Sequence, residues 1–436
     1  MNQKSPSRPQ AATQGRFDPG VIEQLRQDSL QDNGTGPGRA VPDVPLAQHV
    51  NHTPFWSQYY QSVDCEGEVF HTVVTRVGYD MRTVRRGPVG GPLGYASEPP
   101  ALAMGDEFAQ PADPHHSELL WESDFCPFKP KCDVLVVNAA TRPDLSEWQR
   151  HISIHLDPDL RPRARRWTCA VALDWLDEAG QAQHWHKPLG ITGPRHIKLW
   201  GGASEPEPAS EVLLGWAQAF GGPRDERNPL GVGHAQRTGD KAPQQEPGGH
   251  PFRGGLLQLN YPPAGLGPIG KAWLPRRSLA GTYDNAWLKD QWPLPPKDFD
   301  YGFWNCAPTD QQIAYPPPGA CISLLNLWPP MLPGQPLPAG NADTETWRGT
   351  LPAHQLFVLW RLHSGPMIVK NALLDTLVVN LAAQRIDAVY RSVMSARAGV
   401  RVAETRLELD PPAAQARLNA LERHLRRIWP ERGAYG

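Results

Sequence analysis

Proline recurs so often in this chain that long helices have little room to run. The 436 residues include 48 Pro and 40 Gly, about one residue in five, against roughly 12% for the pair in ordinary proteins. Proline lacks the amide hydrogen that a helix interior needs, and glycine belongs most naturally at turns. Many short strands broken by turns accommodate such a composition. The 16 Trp argue against disorder, because disordered chains are poor in aromatics. The expected fold is mainly β: antiparallel sheets, sandwich or barrel-like, with long Pro/Gly-rich ordered loops and a C-terminal helix.

Local periodicity fits this expectation. In "GEVFHTVVTRVGYDM", Val69, His71, Val73 and Thr75 share one strand face, and Phe70, Thr72, Val74 and Arg76 the other. "CDVLVVNAA", "ISIHLD", "TCAVALDWL" and "HIKLWGG" read as further strands. No helical pattern of a dozen residues separates them, which favours hairpins over βαβ units.

Five segments follow from composition and pattern: a flexible leader at 1–48, an N-terminal β-rich part at 49–221, a Pro/Gly/Trp-rich loop region at 222–350, a C-terminal β-rich part at 351–409, and an amphipathic helix at 410–430. The loop region packs on the β scaffold, and stays ordered only if buried aromatics pin it. In the helix, Asp410 is the expected cap, and Leu418, Leu421, Leu425 and Ile428 form one stripe.

Several function classes lose support. A formal net charge of −2 lacks the excess of Lys and Arg that phosphate binding needs, and the basic run "RPRARRW" at Arg161–Trp167 is short. Six Cys are widely spaced, without a disulfide framework. No basic region followed by an apolar run marks a secretory signal, and no stretch of about 20 apolar residues marks a membrane span. A cytoplasmic protein with reduced thiols is expected.

"GLGPIG" at Gly265–Gly270 matches G-x-G-x-x-G, but "NYPPA" precedes it and Pro268 interrupts it, so a turn is the better reading. His184 and His186 can share a strand face, yet an ion needs a third ligand. There is no C-x-x-C, H-E-x-x-H or G-x-S-x-G. No cofactor, metal or catalytic set is expected.

The stretch Gly281–Gln312, "GTYDNAWLKDQWPLPPKDFDYGFWNCAPTDQQ", gathers five Asp and three Trp. Carboxylates among aromatics suggest a carbohydrate cleft, in which Asp284, Asp290, Asp298, Asp300 and Asp310 include an acid and a base. The same residues stand beside turn formers, where Asp and Asn cap backbone groups. On that reading Asp284, Trp287, Trp292, Asp298, Asp300, Trp304, Asn305 and Asp310 pin the loop. Candidate protein contacts are Phe55, Trp56 and Tyr59 in "HTPFWSQYY", and Leu421 and Leu425 in the helix.

The wording of "NHTPF", "SDFCPFKPKCDVLVVNAA", "HIKLWGG", "AFGG", "ERNPLGVGH", "LLNLWP" and above all the run at 263–312 resembles DUF2169, a family of bacterial proteins encoded with type VI secretion components. The resemblance covers about residues 51–395. It implies an adaptor or chaperone, not an enzyme, whose partner is a secretion effector or a PAAR-type spike-tip protein. A structural component of the secretion particle is a further reading. The chain departs from the family wording at Asn138 and from Met331 to His354.

Overall fold

The strands Val69–Asp80 and Arg385–Ser395, VFHTVVTRVGYD and RIDAVYRSVMS, are rich in β-branched and aromatic residues, and both are buried on both faces over most of their length. In the protein, described here by a computed structural model, they pair antiparallel from Asp80↔Arg385 to Phe70↔Ser395. The structure describes residues 42–83, 91–137, 153–155, 166–199, 202–207, 211–233, 237–252, 261–325, 327, 346–409 and 411–428.

These two strands lie inside a seven-stranded sheet. Its order is Gln312–Ile313, Cys132–Val137, Leu373–Asn380, Arg385–Ser395, Val69–Asp80 and Trp56–Val63, with Gly94–Tyr95 added on Val69–Asp80. Within it only the contact between Cys132–Val137 and Leu373–Asn380 is parallel.

One face of this sheet is covered by two others. Val77, Tyr79, Val134, Val136, Leu377, Val379 and Ile386 share a core with Val171, Leu173, Leu189, Ile191, Ile322 and Leu324. The latter belong to a five-stranded sheet ordered Gln245–Pro247, Ala182–Thr192, Arg166–Leu176, Cys321–Leu325, Thr346–Thr350. A four-stranded sheet, ordered Gln48–Asn51, Val400–Glu408, Gln355–Leu362, Met367–Asn371, packs Val358, Trp360 and Ala403 on Tyr59 and Val73. The opposite face of the central sheet, with Leu135, Val137 and Val378, is covered by Trp121 of the short strand Leu119–Trp121 and by irregular chain carrying Ala103, Cys306 and Ala307.

The architecture is therefore mainly β and mostly antiparallel, as the composition predicts. The segments 49–221 and 351–409 both supply strands to the central sheet, and 222–350 supplies Gln312–Ile313, so they interleave in one body. The C-terminal helix Pro412–Ile428 packs Leu421 and Leu425 on Leu176 and Cys321 of the five-stranded sheet.

Buried aromatics hold much of the irregular chain. Tyr261 meets Phe220 and Phe252 edge-on, with centroids 5.4 and 5.5 Å apart, and Trp216 and Trp273 join Ala219 and Ile269 in a second cluster. Residues 1–41 of the expected leader, Asn138, most of "RPRARRW", most of Met331–His354 and the expected cap Asp410 lie outside the described residues. Among the described residues no helix is long and apolar enough to cross a membrane.

Candidate functional site

The loop-covered face of the central sheet carries ions. Arg76 donates to Asp124 (3.1 Å) and Asp387 (3.2 Å), with its guanidinium 4.2 Å from the Trp121 ring centroid. Arg391 donates to the Asp375 carboxylate at 2.6 Å, to the carbonyls of Asp124 and Cys126 at 2.9 and 3.0 Å, and to the Tyr60 hydroxyl. Asp133 accepts from Lys129 Nζ at 2.8 Å, Asn305 Nδ2 at 3.0 Å, and the amides of Cys306 and Ala307 at 3.0 and 3.2 Å.

Burial and charged partners compete to set the ionisation of these groups. Burial works to raise Glu122, but Arg276, Lys129 and Lys271 outweigh it and hold the carboxyl below its usual range. For Asp124, burial prevails over Arg76 and raises the pKa. Burial would lower Lys129, yet Asp133 and its neighbours keep it well above the ordinary lysine value.

This layer ties down the chain from 261 to 313. Val136 N–H donates to Leu266 O at 2.9 Å, and Gln311 Nε2 bridges Val134 O and Leu266 O at 2.9 and 3.1 Å. Arg276 is buried and donates to Ile269 O, Phe303 O and Glu122 Oε1, each at 2.7 Å from a terminal nitrogen. Asn305 Nδ2 also reaches Lys131 O at 2.8 Å.

Within Gly281–Gln312 the carboxylates serve local backbone or single partners. Asp284 caps the short helix Asn285–Asp290 through Trp287 N at 2.8 Å. Asp298 accepts from Thr282 N and Oγ1 at 2.9 and 2.7 Å, and these bonds lower its pKa. Asp300 caps the turn Tyr301–Trp304 through Gly302 N at 2.7 Å. Asp310 pairs with Lys187, while its carbonyl accepts from Trp185 Nε1 at 2.8 Å. Asp290 is exposed.

Trp287 is half-buried and donates to Leu294 O at 2.9 Å; Trp304 is also half-buried, and Trp292 is exposed. An open cleft of about 780 Å³ has Cys65, Glu68, Lys297 and Arg397 on its walls, and none of the five Asp. Glu68 in that cleft is engaged by Ser395 Oγ at 2.6 Å and Arg397 at 2.7 Å.

His184 and His186 stack with centroids 6.2 Å apart, and His184 Nδ1 lies 2.8 Å from Asp174. Among the described residues no three His, Cys, Asp or Glu side chains gather as a metal-holding group.

The five expected contact residues divide sharply. Phe55 and Tyr59 are buried in the sheet core, and Leu421 and Leu425 under the C-terminal helix. Their apolar faces pack inside this fold. Trp56 alone stands out, 57% exposed, at the start of the outermost strand of the central sheet.

A surface that sequence reading passed over lies at Met367–Asn371, MIVKN, the outermost strand of the four-stranded sheet, exposed along its whole length. Met367 is 56% exposed, Ile368 38%, Val369 61%, and Leu373 just beyond it 45%. The "HSGP" turn before it, at His363–Pro366, is a hairpin signal that could have located it. Contiguous exposed apolar side chains of this kind mark interaction surfaces.

Comparison with known proteins gives one family. A family model described as an uncharacterized protein conserved in bacteria (DUF2169) matches residues 66–391. No curated protein and no solved structure matches the chain.

Proposed function

This chain belongs to the DUF2169 family of bacterial proteins, and on that premise we propose that it is a non-enzymatic adaptor or chaperone, which binds a type VI secretion effector or a PAAR-type spike-tip protein and assists its loading. The observation that carries this reading is the exposed apolar strand Met367–Asn371 with Leu373 beside it. A β scaffold that leaves such a surface open is suited to holding another chain, because contiguous exposed apolar surface marks sites of protein contact.

The mechanism is physical. The sheets and the ion-tied loop layer hold a rigid frame, so little ordering entropy is lost on association. The carboxylates of Gly281–Gln312 support this reading because Asp284, Asp298 and Asp300 are engaged by nearby backbone amides. Binding takes place in the cytoplasm, before secretion.

The test is a pull-down from the native host with the tagged protein, followed by gene deletion. Co-purification of a PAAR-type or effector protein, and loss of that effector from the medium on deletion, are expected. Normal secretion without the protein sinks the proposal.

A further inference from the structure

We propose that the edge of Met367–Asn371, left unpaired among the described residues, receives an extended segment of the client as an added β-strand, and that this segment is apolar at alternate positions and acidic. The inference rests on the adaptor reading above and specifies its mode.

The hydrogen-bond alternation fixes which groups are available. Ala372 N–H donates to Leu356 O at 2.9 Å and Leu362 N–H to Pro366 O at 3.0 Å, so Leu356/Ala372 and Leu362/Pro366 are bonded pairs. Between them the register runs Val358↔Lys370, Leu359↔Val369 and Trp360↔Ile368. In an antiparallel ladder every second pair is bonded. Ile368 and Lys370 therefore turn their backbone groups inward, toward Trp360 and Val358. Met367, Val369 and Asn371 turn theirs to the open edge, in the spacing that an incoming strand pairs with.

The side chains match such an occupant. Val369 and Met367 stand in register with Leu359 and Arg361, on the face away from the core that buries Trp360 and Val358. Ile368, on the core-facing side, is still 38% exposed. An added strand thus has apolar contacts on both of its faces. No proline or bulge guards the edge.

Charge selects the partner. The hairpin Gln355–Asn371, QLFVLWRLHSGPMIVKN, contains Arg361, His363 and Lys370 and no carboxylate. The nearest carboxylate in register, Glu404 on the next strand, is already engaged by Arg361 and Arg406. Lys370 Nζ donates to the Val393 carbonyl at 2.6 Å and meets no carboxylate among the described residues; the same hairpin of a second copy brings none, whereas an acidic segment neutralises the charge.

The experiment uses the full chain and the purified PAAR-type protein encoded beside its gene. Amide exchange across 367–371 is measured alone and in the complex, together with affinity for Val369→Pro and Val369→Thr. Proline at 369 removes an edge-facing N–H and leaves the bonds to Trp360 and Val358 in place. Exchange slowed at Val369 and Asn371, about tenfold or more weaker binding by Val369→Pro, and binding by Val369→Thr within about threefold of the parent support the proposal. A complex that leaves exchange at 367–371 unchanged in the parent chain overturns strand addition, whatever the folding of Val369→Pro, and leaves the adaptor reading standing. Failure of the parent chain to bind any neighbouring PAAR-type or effector protein overturns both.

Discussion

The Lys129 ammonium lies 2.8 Å from the Asp133 carboxylate, with side-chain exposures of 4% and 0%. Asp133 sits on a central strand, and its other acceptor bonds run to Asn305, Cys306 and Ala307. One carboxylate thus joins the sheet to the loop that crosses it.

Asp133→Asn leaves the lysine charge buried and turns an amide group toward donors. The loss is expected at about 3–5 kcal/mol, the range for breaking one side of a buried pair. Urea unfolding measures it. Adding Lys129→Met restores only part of the loss, because the asparagine keeps a single acceptor oxygen and one of the loop amides of Cys306 and Ala307 faces its NH2 instead.

Arg276→Lys keeps the charge but cannot span Ile269 O, Phe303 O and Glu122 together. A cost of about 2–3 kcal/mol is expected. Hydrogen exchange should quicken across 263–312 while the amides of Val69–Asp80 stay protected. Uniform quickening in both regions would contradict a local tie.

Asp284→Ala removes a helix cap and is expected to cost about 1 kcal/mol in thermal unfolding. Asp290→Ala, on the exposed last turn of the same helix, should fall within about 0.5 kcal/mol of the parent. Equal effects at the two positions would count against the capping role.

His354 is held between Tyr79 and Tyr95, with hydroxyl oxygens 3.0 Å from Nε2 and 2.9 Å from Nδ1, and Tyr390 bonds Tyr79 at 2.9 Å. Burial pushes its pKa down to about 4 from 6.5. Folding therefore favours the neutral ring: its contribution is whole above pH 6.5 and is lost as the pH falls toward 4, by about 3 kcal/mol in all. Burial lowers His49, His71 and His186 in the same direction, so the parent chain alone does not isolate the effect. In His354→Gln the slope of unfolding free energy between pH 4 and 6.5 should shrink. An unchanged slope would contradict the assignment.

The features legible in the sequence are the ones whose partners lie close along the chain. Asp284 and Asp300 meet amides three and two residues on, within turn wording that announces a cap. The charged layer was hidden for two reasons. Asp133 and Cys306 are 173 positions apart. Arg76, Asp387 and Arg391 alternate with apolar neighbours, a pattern that does not reveal that further chain will cover them. The stripe of Leu421 and Leu425 was plain as a helix face, but a stripe looks the same whether it covers this fold or another protein. Met367–Asn371 was concealed by continuity, since the apolar run "MIVKNALLDTLVV" crosses two strands of different sheets.

The parallel contact between Cys132–Val137 and Leu373–Asn380 governs how the chain comes to be made. During synthesis the first strand waits for the second through roughly tens of seconds of elongation. The earliest of the described strands, Gln48–Asn51, waits longer still for Val400–Glu408, beside which it lies. For that interval the nascent chain holds apolar strands without neighbours, and closure depends on contacts remote in sequence, which form slowly. Shortened versions ending before Leu373 lack the innermost strands of the central sheet, so aggregation is their natural fate and only near full-length versions should be recovered folded.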